Sequence, residues 1–158
     1  GVVPFELIVV GSPEPVLLEQ LRRELSPGLW ERVHFKPGLK PEEVAAELPV
    51  ATVAVLPTRA DTSPNAVKEA VVAGVPVVST RVGGVVDYVW PGENGFLCDP
   101  GDVAGLTTAL KQAAEHPLFS QGRVSASAWD RARSDLSPER MARNFFEAYQ
   151  AAQGQTAS

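Results

Sequence analysis

The chain has 158 residues, 44% of them hydrophobic and 21% charged, with a formal net charge of −5. That balance suits one compact domain with a real core, and it argues against disorder, a nucleic-acid surface or a polybasic membrane anchor. One cysteine, Cys98, and two distant histidines, His34 and His116, exclude an internal disulfide and offer no metal-ligand spacing.

Short β-rich apolar runs alternate with helical patterns along the chain. Phe5–Val10 reads as a buried strand, closed by Gly11 and the Ser12-Pro13 turn. Pro15–Leu25 has Val16, Leu17, Leu21 and Leu25 near helical spacing. Arg32–Phe35 is a short strand ending at Pro37-Gly38, and Pro41 opens a helix through Leu48 whose glutamates favour its N-terminal end. Ala51–Leu56 is a third strand. Ser63-Pro64 opens a helix through Ala73, stopped by Gly74 and Pro76. Val77–Thr80 and Gly95–Cys98 are further strands, with a short helical piece at Gly83–Val89 between them. Asp102 caps a helix through Ala114, and Pro117–Arg133 reads as loosely helical. Ser137-Pro138-Glu139 starts a last helix with Met141, Phe145, Ala148 and Tyr149 as its apolar stripe, and Gln153–Ser158 forms a polar tail.

Strand–helix alternation with two-faced apolar strands predicts an α/β fold. It is a Rossmann-like three-layer α/β/α arrangement on a parallel sheet, followed by C-terminal helices. One lobe is expected over residues 1–152 and the tail over 153–158. All strand C-termini then share one edge, where ligands of such sheets bind. No apolar run approaches the ~20 residues of a membrane span. The start, GVVPFELIVVG, lacks the basic region of a signal peptide. A soluble domain of the reducing cytoplasm is expected.

The stretch Leu56–Val89 holds the candidate chemistry. Ser63 is suited to cap the following helix and Pro64 to be its first residue, so the free amides of that turn form an anion site. Glu69 follows Asn65 by one helical turn and shares its face. Flanked by Ala66, Val67, Ala70 and Val71, its carboxylate is expected beside apolar packing, where it suits the hydroxyl pair of a ribose. It reads equally as an ordinary helix glutamate or a partner of Arg59 or Arg81. Asp61 lies near the mouth of the same cleft and could be a turn residue. Gly83-Gly84 lets backbone approach a ligand, or permits a positive φ. Tyr88 and Asp87 follow that pair and are candidates to line the cleft. Trp30, Trp90 and Trp129 read as packing or lobe-interface residues rather than sugar platforms, and the arginines of 123–143 as a solvated face.

The run Asp61-Thr62-Ser63-Pro64-Asn65-Ala66-Val67-Lys68-Glu69-Ala70, then Gly74-Val75-Pro76-Val77, is followed by Val82-Gly83-Gly84, Pro91-Gly92-Glu93-Asn94-Gly95-Phe96-Leu97 and Pro100-Gly101-Asp102. It resembles the C-terminal lobe of retaining nucleotide-sugar glycosyltransferases of the GT-B fold (glycosyl transferases group 1). That family carries a Glu-x7-Glu motif in a setting like E-G-F-P-N-x-x-x-E-A-x-x-x-G-x-P-V. Upstream, LIVVG at Leu7–Gly11 and RVHF at Arg32–Phe35 are similar to its strands. The resemblance implies transfer of a sugar from a UDP- or GDP-sugar, without a metal or other cofactor, to a carbohydrate or lipid-linked acceptor. It implies that Glu69 holds the ribose and that Asp61 stabilises charge on the transferred sugar. It further implies that Thr62, Ser63, Pro64 and Asn65, with Gly83 and Gly84, meet the sugar or diphosphate, and that the Lys36–Leu39 loop, with Lys36, Gly38 and Leu39, touches the base.

Two departures stand out. Aspartate replaces the usual first glutamate, shortening its reach by roughly 1.5 Å. The family's first strand, central in the order 3-2-1-4-5-6 and carrying a basic pair for the diphosphate, is not in this sequence. Self-association is one way to complete the sheet. The acceptor-binding N-terminal lobe is also expected elsewhere, so the chain alone should be inactive, and any peripheral membrane contact would come through that lobe. The alternatives are a non-catalytic sugar-nucleotide-binding module and a lobe of another GT-B enzyme such as a sugar-nucleotide epimerase. Gly11-Ser12-Pro13 is no G-x-G-x-x-G fingerprint, which argues against a nicotinamide cofactor.

Overall fold

The computed structural model describes residues 4–155. The chain clusters into two compact units, Gly1–Glu47 and Leu48–Ser158. The first unit runs β1 (Leu7–Val10), α1 (Pro15–Glu24), α2 (Pro27–Trp30), β2 (Val33–Lys36) and α3 (Pro41–Glu47). Pro15 takes the first turn of α1, where its missing N–H costs nothing. The single turn α2, not anticipated from the sequence, forms as the Ser26 carbonyl accepts from the Leu29 and Trp30 amides. β1 and β2 pair in parallel, from Leu7 opposite Val33 to Val10 opposite Lys36. None of the helices here holds a fully buried residue.

The second unit opens with a 3₁₀ turn at Leu48–Val50 and continues through β3 (Ala54–Leu56), α4 (Asn65–Ala73), β4 (Val77–Thr80), α5 (Val85–Tyr88) and β5 (Gly95–Cys98). Three helices follow, α6 (Val103–Glu115), α7 (Ala126–Asp135) and α8 (Pro138–Gln155). β3, β4 and β5 lie side by side in that order, all parallel. β4 is buried throughout. Val77 packs into one apolar cluster with Val67, Val71 and Val85, while Val78 packs into a second with Ala109, Ala113 and Phe119. Adjacent residues feeding opposite clusters mean helices cover both sheet faces, as a parallel sheet requires.

The fold is the expected α/β class, but the strands form two hydrogen-bonded sheets rather than one continuous sheet. Among the described residues, β1 pairs with β2 alone and β3 with β4 alone. Other boundaries shift for local reasons. The Ala51 amide closes the 3₁₀ turn onto Leu48, so β3 begins only at Ala54. Residues 117–133 are not one helix: Gly122 adopts φ +68° and ends a short 3₁₀ turn, and Ser125 then caps α7 through the Ala128 amide. α8 continues to Gln155, into the expected tail, and residues 156–158 lie outside the described residues. Its stripe of Met141, Phe145 and Tyr149 is exposed rather than packed.

Candidate functional site

Two loops leave the C-terminal ends of β3 and β4, and the one that leaves β3 is tied to side chains from β4. Ser79 Oγ donates to the Leu56 carbonyl at 2.9 Å and Thr80 Oγ1 to the Thr58 carbonyl at 2.6 Å. Both hydroxyls belong to fully buried residues. Their partners are backbone carbonyls at the end of β3 and just beyond it, so each bond gives a buried hydroxyl an acceptor. Neither Ser79 nor Thr80 has an assigned role in the sequence reading.

The β3 loop then turns at Asp61. Its Oδ1 accepts from the Ser63 amide at 2.9 Å, an Asx turn that fixes the carboxylate against the backbone ahead of α4. Ser63 does not cap the helix. Pro64, extended at φ −65° and ψ 122°, occupies the cap position and brings no side-chain hydrogen bond, leaving Ser63 one residue too early. The first bond back into α4 runs from the Lys68 amide to the Pro64 carbonyl at 3.3 Å. The Asn65, Ala66 and Val67 amides are thus those a helix leaves without internal partners, and they sit at its positive end.

The glycine pair meets this turn directly. Gly83 has φ +47°, and a side chain there would collide with the Asp61 and Thr62 carbonyls. The Gly84 amide donates to the Thr62 carbonyl at 2.9 Å. Of the two readings of this pair, Gly83 shows the positive φ, and the backbone it approaches is that of the Asp61–Thr62 turn. Thr62, Ser63 and Asn65 are exposed, while Pro64 is buried beneath them.

Glu69 departs from expectation. Val67, Ala70 and Val71 turn into the core, and Glu69 is exposed on the outer face with Asn65. Its carboxylate is on the exposed side of the helix, not set in apolar packing. Arg81, one of its suggested partners, faces Asp99 at 3.7 Å instead.

Tyr88 ends α5, the short helix that follows the glycine pair. It is 5% exposed, and its hydroxyl has no hydrogen-bond partner among the described residues. Burial pushes the phenol above its usual range; the Ser63 side chain beside it pulls the other way, and the Asp61 and Asp87 carboxylates add to the rise. Trp90 and Trp129 both make contacts within the second unit. Arg131 stacks over the Trp90 ring at 3.8 Å, and Trp129 Nε1 donates to the Val72 carbonyl at 2.7 Å.

Lys36, Gly38 and Leu39 belong to the first unit. Lys36 Nζ pairs with Glu47 Oε1 at 2.6 Å, so its charge is already met within that unit. Gly38 adopts φ +68°, and Leu39 is half-buried. Among the described residues, no group of three or more His, Cys, Asp or Glu is placed to hold a metal, and no helix is long and apolar enough to cross a membrane.

The structure thus gathers Asp61, Thr62, Ser63, Pro64, Asn65, Gly83 and Gly84 at one sheet edge, with Glu69 one turn along α4. Known proteins carry the same lobe. The chain shares 32% identity over 142 residues with glycogen synthase of Mycobacterium tuberculosis (strain ATCC 25618 / H37Rv), covering 90% of this chain and 33% of that protein. It shares 33% over 123 residues with D-inositol 3-phosphate glycosyltransferase of Acidothermus cellulolyticus, covering 74% of this chain and 27% of that one. Sucrose-phosphate synthase from Thermosynechococcus elongatus superposes with a TM-score of 0.75 at 24% identity, over 97% of this chain and 39% of that structure. Anabaena Alr3699/HepE in complex with UDP does so with a TM-score of 0.71 at 19% identity, over 93% and 41%. The chain therefore spans about a third of the length of the curated relatives it matches, and its fold is that of one GT-B lobe. The family model for glycosyl transferases group 1 matches residues 2–116, and the chain belongs to that family.

Proposed function

We propose that this chain is the donor-binding lobe of a retaining glycosyltransferase that takes its sugar from a UDP- or GDP-sugar, without a metal. The observation that carries the reading is the Asp61–Asn65 turn. It sets a carboxylate and the open N-terminus of a nine-residue helix at the ligand-binding edge of a parallel sheet, with glycine backbone pressed against it. The helix amides would take the diphosphate and Asp61 would face the sugar. Glu69, exposed on the same face as Asn65, would accept from the ribose hydroxyls. Catalysis would await the acceptor, because the chemistry needs both substrates fixed together. β1, paired on one edge only, leaves room for a further strand, from another part of the protein or from a second copy.

The test is the ribose contact. A hydrogen bond to a charged group contributes ~1.5–3 kcal/mol, or roughly ten- to 150-fold in affinity. Glu69→Ala, at an exposed position, should leave the fold intact and weaken UDP or GDP by that factor in calorimetry. An unchanged dissociation constant beside clear wild-type binding would refute the assignment.

A further inference from the structure

We infer that Asn94-Gly95 is a deamidation site that the fold keeps silent: once the segment from Tyr88 to Gly95 opens, Asn94 converts to aspartate or isoaspartate, and the altered chain no longer closes. The inference stands independently of the donor reading above.

The sequence holds three asparagines, and Asn94 alone precedes glycine; Asn65 precedes Ala66 and Asn144 precedes Phe145. The chemistry is a ring closure. The Gly95 amide nitrogen gives up its proton to a solvent base and attacks Asn94 Cγ. The new C–N bond forms as the Cγ–Nδ2 bond breaks, and ammonia leaves. Water then adds to one of the two carbonyls of the resulting succinimide and opens the ring, to aspartate or to isoaspartate. Glycine favours the closure because it has no side chain to obstruct the attacking nitrogen or restrict its backbone.

In the folded chain the reacting groups are committed elsewhere. Asn94 is 1% exposed. Its Oδ1 accepts from the Trp90 amide at 2.7 Å, and its Nδ2 donates to the Tyr88 carbonyl at 2.9 Å. The backbone is held as well: the Asn94 amide donates to the Trp90 carbonyl at 3.2 Å, and its own carbonyl accepts from the Val77 amide at 3.0 Å. Ring closure must break both side-chain bonds and turn Cγ onto the Gly95 nitrogen, in packed surroundings that exclude water. The reaction therefore waits for local opening.

Neither residue can be exchanged for a less reactive one. A Cβ on Gly95 would run into the Val77 carbonyl and stand 2.9 Å from Val89 Cγ1, so glycine is required where β5 begins against β4. Asparagine is required because one side chain both accepts from Trp90 and donates to Tyr88. Aspartate keeps the acceptor, but it turns a second oxygen on the Tyr88 carbonyl and buries a charge. Isoaspartate adds a carbon to the backbone where the register of β5 is set. Either product opposes reclosure, at the end of the helix that follows Gly83-Gly84.

The test follows deamidation by mass spectrometry of proteolytic peptides from the full-length protein. The protein is held at mildly alkaline pH in buffer or in denaturing urea, beside a synthetic Pro91–Cys98 peptide in the same two solutions. Asn94 in the native protein should react at least ~10²-fold more slowly than in the peptide, since domains favour the folded state by about 10³–10⁸. In urea the protein and the peptide should react alike, with Asn65 and Asn144 lagging. Native reaction at the peptide's rate, or an Asn94 that stays intact in the unfolded chain, would overturn the inference. Asn94→Asp makes one product directly and should lower the melting temperature by about 4 °C or more, whereas Asn144→Asp, at an exposed position, should not. A wild-type melting temperature for Asn94→Asp would remove the block to reclosure, and the one-way character of the modification would have to be withdrawn.

Discussion

β1 and β4 are both four-residue parallel strands, and their surroundings differ sharply. LIVV in β1 is the more apolar, yet Leu7, Ile8 and Val10 remain 42%, 43% and 48% exposed. VVST in β4 ends in two hydroxyls and is buried at every position. The difference lies in neighbours rather than composition. β4 has a strand on each side and a helical cluster on each face, while β1 has one strand and no helix with a buried residue. On the β4 side, Thr80 ties down the loop that leads to the Asp61 turn by its bond to the Thr58 carbonyl. Where β2 ends, Lys36 makes a partly exposed pair with Glu47, and such pairs contribute little.

The largest expected effect exposes that difference in stability. Phe119 is fully buried beneath β4, with the His116 ring 3.8 Å and the Phe96 ring 5.5 Å from its own. Phe119→Ala should destabilise by about 3–5 kcal/mol. Ile8→Ala in β1 should cost about 1 kcal/mol, because much of that side chain is already in water. Urea unfolding followed by circular dichroism measures both. Equal losses would mean that β1 is buried after all in solution, and the contrast between the strands would fail.

A second effect concerns the loops. If Asp61 stabilises positive charge developing on the transferred sugar, Asp61→Asn should lower kcat by ~10²–10³ with little change in donor affinity. Lys36→Ala, at the end of β2, should change donor affinity a few-fold and spare kcat. The competing view is that Asp61 serves only the Asx turn onto the Ser63 amide. Asparagine makes that turn as well as aspartate does, so near wild-type kcat for Asp61→Asn would withdraw the catalytic role. Steady-state kinetics of the full-length protein decide between them.

The tightly packed side was also the more legible in the sequence. α4 ends at Ala73 as read, because Gly74 supplies the left-handed cap at φ +78° before Pro76. β4 and β5 match residue for residue, since each is a short apolar run closed by turn residues. Within the candidate site, the sequence placed the Asp61–Asn65 turn and the glycine pair together but misjudged two side chains. Ser63 looks like a cap in any S-P-N string, and only the extended ψ of Pro64 moves the helix start beyond it. Glu69 looked buried because its sequence neighbours are apolar, yet each helical step rotates ~100°, which carries neighbours to the sides. The tethers from Ser79 and Thr80 join residues more than twenty apart, and no local pattern reports such a contact. Nor could the apolar run of β1 reveal its exposure, since an apolar run states only that burial is favourable.

The smallest effect separates the two regions by pH. Residues 1–47 contain neither cysteine nor tyrosine, whereas β5 carries Cys98, 6% exposed, with its thiol donating weakly to the Ser79 carbonyl at 3.6 Å. Burial pushes the Cys98 thiol above its ordinary value of 9.0, and the Asp102 and Asp99 carboxylates push it the same way, against a smaller pull from its own backbone and Arg81. The folded state therefore favours the neutral thiol more than the unfolded state does. Below pH 9 both states are protonated and this contribution is fully present. As pH rises past 9 the unfolded thiol ionises first, so stability falls until the folded thiol ionises too. Cys98→Ala removes the titrating group and should flatten that alkaline loss, while adding a modest loss at all pH values from the weak bond to Ser79. Urea midpoints taken at about pH 8 and about pH 10 measure the slope. If the alanine variant loses stability as steeply as wild type, the β5 thiol is not the group being titrated, and the alkaline sensitivity no longer distinguishes the buried sheet from the exposed one.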